Sequence, residues 1–502
     1  MKGNETGGSA EECAVRTTAD AIRVCSWLAC ALSLALIAGC RTPPAMAQAG
    51  QRFIDDVSRL NPTVVADIVA LREEHELRQA ILDARRRGLK VSIAGLRHSQ
   101  GGHAFYDGAL VLDMTHFNRI LELDPERKTI RVQSGVTWGQ IQSHVNPHGL
   151  AVKVMQSSNI FTVGGSLSVN AHGRDPNFGP IIETVESFRL LTAEGAILNV
   201  SRTEEPELFR LVIGGFGLFG VILDVDLTLT DNIIYRKETT LLDYTDYPRF
   251  FRDTVRRNPA AGLHYARLSN APGSYLRQMY ATTFVATEPD PASRETLLKL
   301  DDNEPVAVPK FFLALSRGAE WGKSVSWFFQ KTVVDPPGKE DLYSRNNAMR
   351  PAVAFLEYDG TDDTDILQEY YIPVERFVEF TDGLREILER RNVNLLNLTI
   401  RYSPENREAF LPYATAEAFA FVLYINQRRS AQGVEAARTW TQELVDLCSR
   451  HGGIYYLPYQ LYPTREQMAR AYPAAQAFFK KKLEYDPGQL FMSRFYAHYA
   501  LP

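Results

Sequence analysis

Apolar residues recur along residues 77–84 with the spacing of a helix. Leu77, Ala80, Ile81 and Ala84 share one helical face. Gly88 stands where glycine commonly ends a helix, because it adopts positive φ without strain. The apolar run at residues 90–94 predicts a strand directly after this helix.

Short apolar runs downstream predict an α+β fold with many short strands. Glu194 and Gly195 separate two of these runs, as the turn of a β-hairpin would. The spacing G-x-G-x-x-G is absent after the first strand, so the pattern does not indicate an NAD(P) site. The predicted strands are residues 110–114, 129–134, 187–192, 196–200 and 221–230.

The region after residue 233 is mixed and rich in aromatic residues. Strands alternate with helices there, which predicts a sheet with helices on one face. The predicted strands are residues 352–358, 367–372, 395–402 and 418–425, and the predicted helices are residues 374–390 and 434–450. Near the end of the chain, Lys480, Lys481 and Lys482 are interpreted as a solvated helix face.

Composition indicates a large globular protein. The chain has 502 residues, of which 45% are hydrophobic, so wholesale disorder is excluded. Its net charge is −5 and it has no basic stripe, so nothing indicates a nucleic-acid partner. Four of the five cysteines precede residue 41, and the fifth, Cys448, is interpreted as a buried helix residue. We therefore expect neither an intrachain disulfide nor a metal site.

The first 40 residues are predicted to be an export leader. Residues 24–39 form a mostly apolar run of 16 residues, long enough for a signal peptide and short for a membrane span. The run ends in LIAGC, in which Cys40 matches the lipidated cysteine of a bacterial lipoprotein. An A-x-A site at residues 45–47 competes with it, although residues 1–23 carry three Lys/Arg and four Asp/Glu where a positive segment is usual. We expect an exported protein, either anchored to the membrane through Cys40 or periplasmic.

Three glycine-rich segments carry the candidate chemistry. They are GLRHSQGGH at residues 95–103, TVGGSLSVNAHG at residues 162–173 and GGFGLFGVI at residues 214–222. Glycines let backbone N–H groups come close to an anion such as a diphosphate. One such loop is a weak signal, whereas the order of the three is specific.

This order resembles the PCMH-type FAD-binding domain of the vanillyl-alcohol-oxidase superfamily. The HG pair after TVGG is similar to two branches, the aldonolactone and alditol oxidases and the decaprenylphosphoryl-ribose oxidases. The resemblance implies a two-subdomain FAD-binding domain followed by a C-terminal α+β substrate cap. The implied segments are a leader at 1–40, a tether at 41–58, the FAD-binding domain at 59–232, the cap at 233–460 and a stretch at 461–502 that returns to the FAD-binding domain.

The resemblance also implies which residues hold FAD. In this family a histidine of the G-x-x-H-S motif often attaches to the 8α-methyl carbon of the flavin, and His98 occupies that position. The alternative is that His98 only hydrogen-bonds the diphosphate or its own loop. His103, the other histidine of this segment, matches the motif less well. The implied cofactor-binding residues are Gly95, Arg97, His98, Ser99, Gly102, Ser157, Ser158, Thr162, Gly164, Gly165, Ser168, His172, Gly217, Gly220 and Val221.

Four residues are implied for catalysis. His172 of the HG motif would lie beside the flavin ring at the mouth of the substrate pocket. The sequence QEYYIP at residues 368–373 resembles a strand of the alditol and aldonolactone oxidases, which makes Glu369 the candidate to hold the substrate hydroxyl or take its proton. Arg401 resembles the arginine opposite the flavin, although Glu369 and Arg401 are alternatively surface charges of the cap. Tyr459 stands where the family has a lysine, and a neutral phenol does not replace that charge, so the substrate class is not carried over.

These observations predict an FAD-dependent oxidoreductase that oxidises a CH–OH group of a sugar-, polyol- or lactone-like substrate, with oxygen or a quinone as electron acceptor. Oxidation of a lipid-linked sugar at the membrane is one alternative, and a catalytically silent FAD-binding surface lipoprotein is another. Residues 309–331 bear on the first alternative because large apolar residues concentrate there. We interpret them as cap core, and the competing interpretation is an exposed flap that docks at a membrane.

Overall fold

The structure is a computed structural model, which describes residues 52–301, 306–351 and 358–501. The predicted leader, Cys40 and all but the last residue of the predicted strand at 352–358 lie outside these residues.

Strands and helices are intermixed along the described residues, as the α+β prediction requires. The strands are β1 Arg52–Ile54, β2 Thr63–Val65, β3 Asp67–Ala70, β4 Val91–Ala94, β5 Leu110–Asp113, β6 Ile120–Asp124, β7 Thr129–Gln133, β8 Leu150–Val152, β9 Val185–Leu191, β10 Ile197–Ser201, β11 Val221–Asp231, β12 Ile234–Asp243, β13 Ala261–Leu268, β14 Gln278–Ala286, β15 Asp341–Ser344, β16 Asp363–Pro373, β17 Asn394–Ser403, β18 Ala418–Arg428 and β19 Ile454–Tyr455. The helices are α1 Glu74–Arg86, α2 Trp138–Val145, α3 Val163–Ser168, α4 Pro206–Val212, α5 Tyr247–Phe250, α6 Pro291–Leu298, α7 Ala307–Gly318, α8 Glu320–Phe329, α9 Arg345–Ala348, α10 Phe377–Arg390, α11 Ala431–Arg450, α12 Arg465–Ala471, α13 Ala475–Tyr485 and α14 Arg494–Ala500.

A small parallel sheet begins the fold. Its strand order is β3-β5-β4, and α1 covers it with Leu77 and Ile81, which share a core with Leu112. The amphipathic pattern therefore predicted both α1 and β4 correctly. Gly88 has φ +66° just after α1, as expected of a glycine that ends a helix.

An antiparallel sheet of six strands follows, with the order β10-β9-β11-β7-β6 and with β8 paired to β11. The predicted hairpin is confirmed, because β9 and β10 pair antiparallel across Glu194 and Gly195. This six-stranded sheet and the parallel sheet are the two halves of the region at residues 59–232.

The cap contains an eight-stranded antiparallel sheet with the order β15-β12-β14-β13-β17-β18-β16-β19. Helices α10 and α11 pack on one face of it: the side chain of Gln368 donates to Thr441 at 2.7 Å, and Tyr370 contacts Phe380. The predicted strands that became β16, β17 and β18 are confirmed, as are both predicted helices.

Strands β12 to β15 of the cap were not predicted from the sequence. Polar residues interrupt their apolar patterns, and tertiary partners satisfy those residues once the sheet forms. His264 in β13, for example, is buried between Tyr247 at 3.0 Å and Thr283 at 2.9 Å.

Two local predictions are wrong. Residues 41–58 were predicted to be a tether, but this segment contains β1, which pairs with β2. It also contains Asp56 and Ser58, which are buried. The lysines predicted as a solvated face include Lys482, which is buried in an ion pair with Asp486. Burial is possible there because the carboxylate supplies the opposite charge.

The last segment packs against the first sheet. The Val91 N–H donates to the Leu490 carbonyl at 2.7 Å, and the Met492 N–H donates to the Val91 carbonyl at 2.8 Å. The chain therefore returns from the cap to the N-terminal sheet and holds the two regions in one unit.

Candidate active site

A cavity of about 680 Å³ lies between the N-terminal region and the cap sheet. Its size falls in the range of sites for small molecules and cofactors. Most of the predicted site residues line it, including all four proposed catalytic residues. Those in the wall are Gly95, Arg97, His98, Ser99, Ser157, Ser158, Thr162, Gly164, Gly165, Ser168, His172, Gly217, Gly220, Glu369, Arg401 and Tyr459.

Gly102 and Val221 do not line this cavity. The Gly102 N–H donates to the carboxylate of Asp56 at 3.1 Å, so this glycine shapes the loop from behind. Val221 is fully buried and pairs with Leu191 at the start of β11.

The first glycine-rich loop separates its two histidines. His98 lines the cavity, and its Nδ1 is buried without a hydrogen-bond partner in the described structure. Burial lowers the pKa of His98, which favours the neutral ring. Burial also lowers the pKa of His103, to about 4, and its Nε2 lies 3.0 Å from the Leu457 carbonyl. His103 also lines the cavity, but its ring is held at the Leu457 carbonyl and packs against Phe216 and Phe495, so His98 is the better candidate for contact with a cofactor.

In the second glycine-rich segment, at residues 162–173, the backbone of Gly164 packs closely against Ser134 in the cavity wall. A Cβ on Gly164 would lie 2.7 Å from the Cβ of Ser134, so only glycine fits. Ser134 also lines the cavity, and its buried hydroxyl has no hydrogen-bond partner among the described residues. Ser134 was not predicted from the sequence, because a serine at the end of a strand has many ordinary roles.

The third loop enters β11 through Gly220, which has φ +151°. A Cβ there would lie 2.7 Å from the Leu191 carbonyl oxygen, so the backbone can pass only as glycine. All three predicted loops thus meet at one cavity. Its free polar atoms, including Ser134 Oγ and His98 Nδ1, fit the needs of a diphosphate-bearing flavin.

The cap sheet supplies an acidic centre opposite these loops. The carboxylate of Glu369 is buried, with Oε1 2.6 Å from His172 Nε2 and Oε2 accepting from the Tyr459 hydroxyl at 3.0 Å. Burial favours a raised pKa of Glu369, but His172, Arg401 and Tyr459 outweigh it and hold the pKa below its usual value. Glu369 is therefore a carboxylate at neutral pH. The interpretation of Glu369 as a surface charge is wrong.

His172 is enclosed by phenol rings. The rings of Tyr371, Tyr413 and Tyr456 lie 5.4, 6.1 and 6.2 Å from it. Its Nδ1 is buried and has no hydrogen-bond partner in the part of the chain that the structure describes. The imidazole is thus held at Nε2 and free at Nδ1.

Arg401 also faces the cavity, and its Nε is buried without a hydrogen-bond partner in the described residues. Its alternative interpretation as a surface charge is therefore wrong as well. The sequence did not single out Arg174, Arg267 and Lys237, which line the same cavity. A lone basic residue in a loop or strand gives no signal of this kind before the chain folds.

Comparison with known proteins supports the interpretation of the cavity as an FAD site. A family model described as an FAD binding domain matches residues 65–201. Over 372 residues the chain is 25% identical to decaprenylphosphoryl-β-D-ribose oxidase of Mycolicibacterium smegmatis, and the match covers 70% of this chain and 77% of that protein.

Two lactone enzymes are also similar. The chain is 29% identical over 235 residues to mitochondrial L-galactono-1,4-lactone dehydrogenase of Brassica oleracea, and the match covers 46% of this chain and 35% of that enzyme. It is 30% identical over 165 residues to L-gulonolactone oxidase of Bos taurus, and this match covers 33% of this chain and 37% of the oxidase. The matches thus span only about a third of the length of these two enzymes. The predicted FAD-binding domain is confirmed by the match at residues 65–201, and the chain is similar to these three oxidoreductases.

Proposed function

We propose that the protein oxidises a CH–OH group of a sugar-, polyol- or lactone-like substrate to a carbonyl, with oxygen or a quinone as the final electron acceptor. The observation that carries the proposal is the buried set of Glu369, His172 and Tyr459, which shares its cavity with the three FAD-binding loops. Bound FAD would supply the hydride acceptor.

His172 is the residue best placed to take the hydroxyl proton. The Nε2–H of His172 donates to the Glu369 carboxylate, which leaves the lone pair on Nδ1. Glu369 stabilises the imidazolium that forms, as the carboxylate of a catalytic triad does. Tyr459 holds the second oxygen of Glu369 and so fixes the direction of the carboxylate. Arg401 provides a cation in the same cavity, which would favour the negative charge of the reduced cofactor.

Anaerobic mixing tests this function. The purified protein is mixed with polyols, sugar lactones and polyprenyl-phosphate sugars, and the absorbance of the oxidised flavin is followed. At least one class should bleach it, and Glu369→Gln should slow bleaching by about 100-fold or more, because the imidazolium loses its counter-charge. The control is Glu379→Gln, a half-exposed carboxylate on α10. Wild type that retains its absorbance with every compound would instead support the silent FAD-binding protein.

A second candidate is the oxidation of a lipid-linked sugar at a membrane, and helices α7 and α8 favour it. Phe312 and Phe329 of this helical pair line the cavity, with their rings stacked at 4.0 Å. On the outside, Phe311, Trp321 and Phe328 are 62%, 64% and 61% exposed. Large aromatic residues exposed next to a cavity are typical of a surface that contacts lipid.

The outcome for residues 309–331 is therefore mixed. The interpretation as cap core holds for Leu313 and Trp327, which are buried, and is wrong for the three exposed aromatic residues. In the described ranges no helix is long and apolar enough to cross a bilayer. We propose that the protein is exported and lipidated at Cys40, and that α7 and α8 rest on the lipid surface.

Liposome sedimentation of the protein without its leader tests the contact with lipid. A triple variant, Phe311→Ser, Trp321→Ser and Phe328→Ser, should keep its fold and lose lipid binding, because the three side chains are exposed. Leu241→Ser, at another exposed apolar residue, is the control. Equal sedimentation of the triple variant and wild type would contradict the proposed surface.

A further inference from the structure

Away from the acidic centre, the cavity wall carries an excess of positive charge. Arg174 and Arg267 both line the cavity. Among the described residues, neither has a carboxylate within ion-pair distance. Lys237, also in the wall, is paired with Asp335 at 2.6 Å, and this one carboxylate is the attractive charge for Arg174 and Arg267 as well. Three cations that share one carboxylate in a partly buried wall leave an excess of positive charge, which indicates that an anion completes the site.

Arg174 and Arg267 lie close together around one aromatic ring. The guanidinium carbons of Arg174 and Arg267 lie 5.5 and 5.8 Å from the centre of the Tyr265 ring. The backbone fixes this arrangement, because the His264 N–H of β13 donates to the Arg174 carbonyl at 2.7 Å. The segment after the HG motif is therefore docked against the strand that carries Arg267.

Both guanidinium groups keep donors free for a ligand. Arg267 donates from Nη1 to Gln330 at 3.1 Å, and its Nε is buried without a hydrogen-bond partner in the described structure. Arg174 donates from Nη2 to the Ala348 carbonyl. An arginine has five N–H donors, and two neighbouring arginines match the several oxygens and the charge of a phosphate group.

The register of the cap sheet places these residues relative to the acidic centre. Arg267 pairs with Thr399, Thr399 with Val422, and Val422 with Glu369, so one row crosses from β13 to β16. Three strand spacings of about 4.8 Å put the backbones of Arg267 and Glu369 roughly 14 Å apart. Both side chains line the cavity, so a sugar that carries a phosphate can span the distance between them.

We propose that Arg174 and Arg267 form a subsite that binds a phosphate group of the substrate. This inference rests on the proposed function, since it assigns the reacting alcohol to Glu369 and His172 and the anion to the far end of the cavity. The phosphate belongs either to a soluble phosphorylated sugar or to a lipid-linked one. Arg401, nearer the acidic centre, is left to the cofactor.

Calorimetric titration of the flavin-loaded protein with inorganic phosphate at constant ionic strength tests the subsite. Wild type should bind phosphate, and Arg267→Gln and Arg174→Gln should each weaken binding tenfold or more. Arg267→Lys should weaken it less, because the charge remains. Arg257→Gln, at a side chain that is 71% exposed, should leave binding unchanged. Flavin absorbance and a thermal melt verify that each variant is loaded and folded, and Arg174→Gln decides the matter if Arg267→Gln does not fold.

Vesicles of phosphatidylcholine, with and without phosphatidic acid, distinguish the two sources of phosphate. Binding that needs both phosphatidic acid and Arg267 supports a lipid-linked phosphate, and binding of free phosphate alone supports a soluble one. No phosphate binding, or equal binding by wild type and both glutamine variants, would overturn the subsite. The titration measures binding and not turnover, so it decides the subsite even if no alcohol bleaches the flavin.

Discussion

His98 and His103 show how differently two histidines of one loop are used. Both rings line the cavity, but His103 is held at the Leu457 carbonyl and packs against Phe216 and Phe495, whereas His98 packs edge-on against Phe161. The motif favoured His98 from the sequence, and the environment of each ring supports that choice.

The covalent link is tested at His98. If His98 carries the flavin, acid-precipitated wild type should stay yellow, and His98→Ala should release its flavin into the supernatant. The exposed His116 gives a matched control, and His116→Ala should stay yellow. Release of all flavin by denatured wild type would show that His98 makes only non-covalent contacts.

Tyr459 controls the carboxylate of the acidic centre. Its hydroxyl donates to Glu369 and helps to hold the pKa of that carboxyl below its usual value of 4.5. Flavin reduction requires the carboxylate, so its rate should fall as the pH drops through this pKa. Tyr459→Phe removes the hydrogen bond, raises the pKa, and should move the acid limb of the pH profile upward by about one unit.

The neighbouring phenol provides the control for this prediction. Tyr456 donates to the Val169 carbonyl at 2.7 Å and not to Glu369. Tyr456→Phe should therefore leave the acid limb in place. Identical limbs for wild type and Tyr459→Phe would show that the phenol does not act on the carboxylate.

Among the elements, those with a strong local pattern were predicted best. Helix α1 has its buried residues on one face, and β9 and β10 are joined by a turn that their sequence specifies. Strand β1 was missed because its three residues have no stable structure without β2. The loop between β1 and β2 depends on Asp56, whose carboxylate accepts from Asn61 at 2.9 Å and from Gly102 at 3.1 Å.

Asp56 should make this element sensitive to pH. Burial raises the pKa of Asp56 from 3.8 to about 6, although its hydrogen bond from Ser58 opposes the shift. A carboxyl with a raised folded-state pKa loses stability as the pH rises from about 4 to about 6. Asp56→Asn removes this ionisation, so from pH 4 to pH 7 the free energy of unfolding of wild type should fall by about 2 kcal/mol relative to the variant. Urea unfolding at the two pH values measures it.

Asp107→Asn is the control, since Asp107 is exposed in the same part of the chain. The free energy of unfolding of this variant should follow wild type at both pH values. If the difference between wild type and Asp56→Asn is the same at pH 4 and pH 7, the pKa of Asp56 is not raised by folding.

At the scale of the whole molecule, the C-terminal segment connects the cap to the first sheet. Lys482 and Asp486 form a buried ion pair there, and Asp486 also accepts from the N–H groups of Leu490 and Phe491 at 2.9 Å. These bonds shape the turn from which residues 490–492 reach Val91. The pair therefore stabilises the contact between regions distant in sequence.

Lys482→Met should destabilise the protein by about 3 to 5 kcal/mol, because it leaves the Asp486 charge buried without its partner. The exposed Lys480 lies on the same helix, and Lys480→Met should stay within about 0.5 kcal/mol of wild type. Thermal and urea unfolding of the two variants give the comparison. Equal stability of the two would show that the pair makes no net contribution.

The sequence by itself determined the cofactor, the three loops, the candidates His98, His172 and Glu369, and the elements with a clear period. Those features depend on local spacing, which the chain carries before it folds. The tertiary structure decided the bond between His172 and Glu369, the positive end at Arg174 and Arg267, and the burial of Lys482. Such features depend on which side chains meet across strands or domains, and burial and charge act only once these residues are in contact.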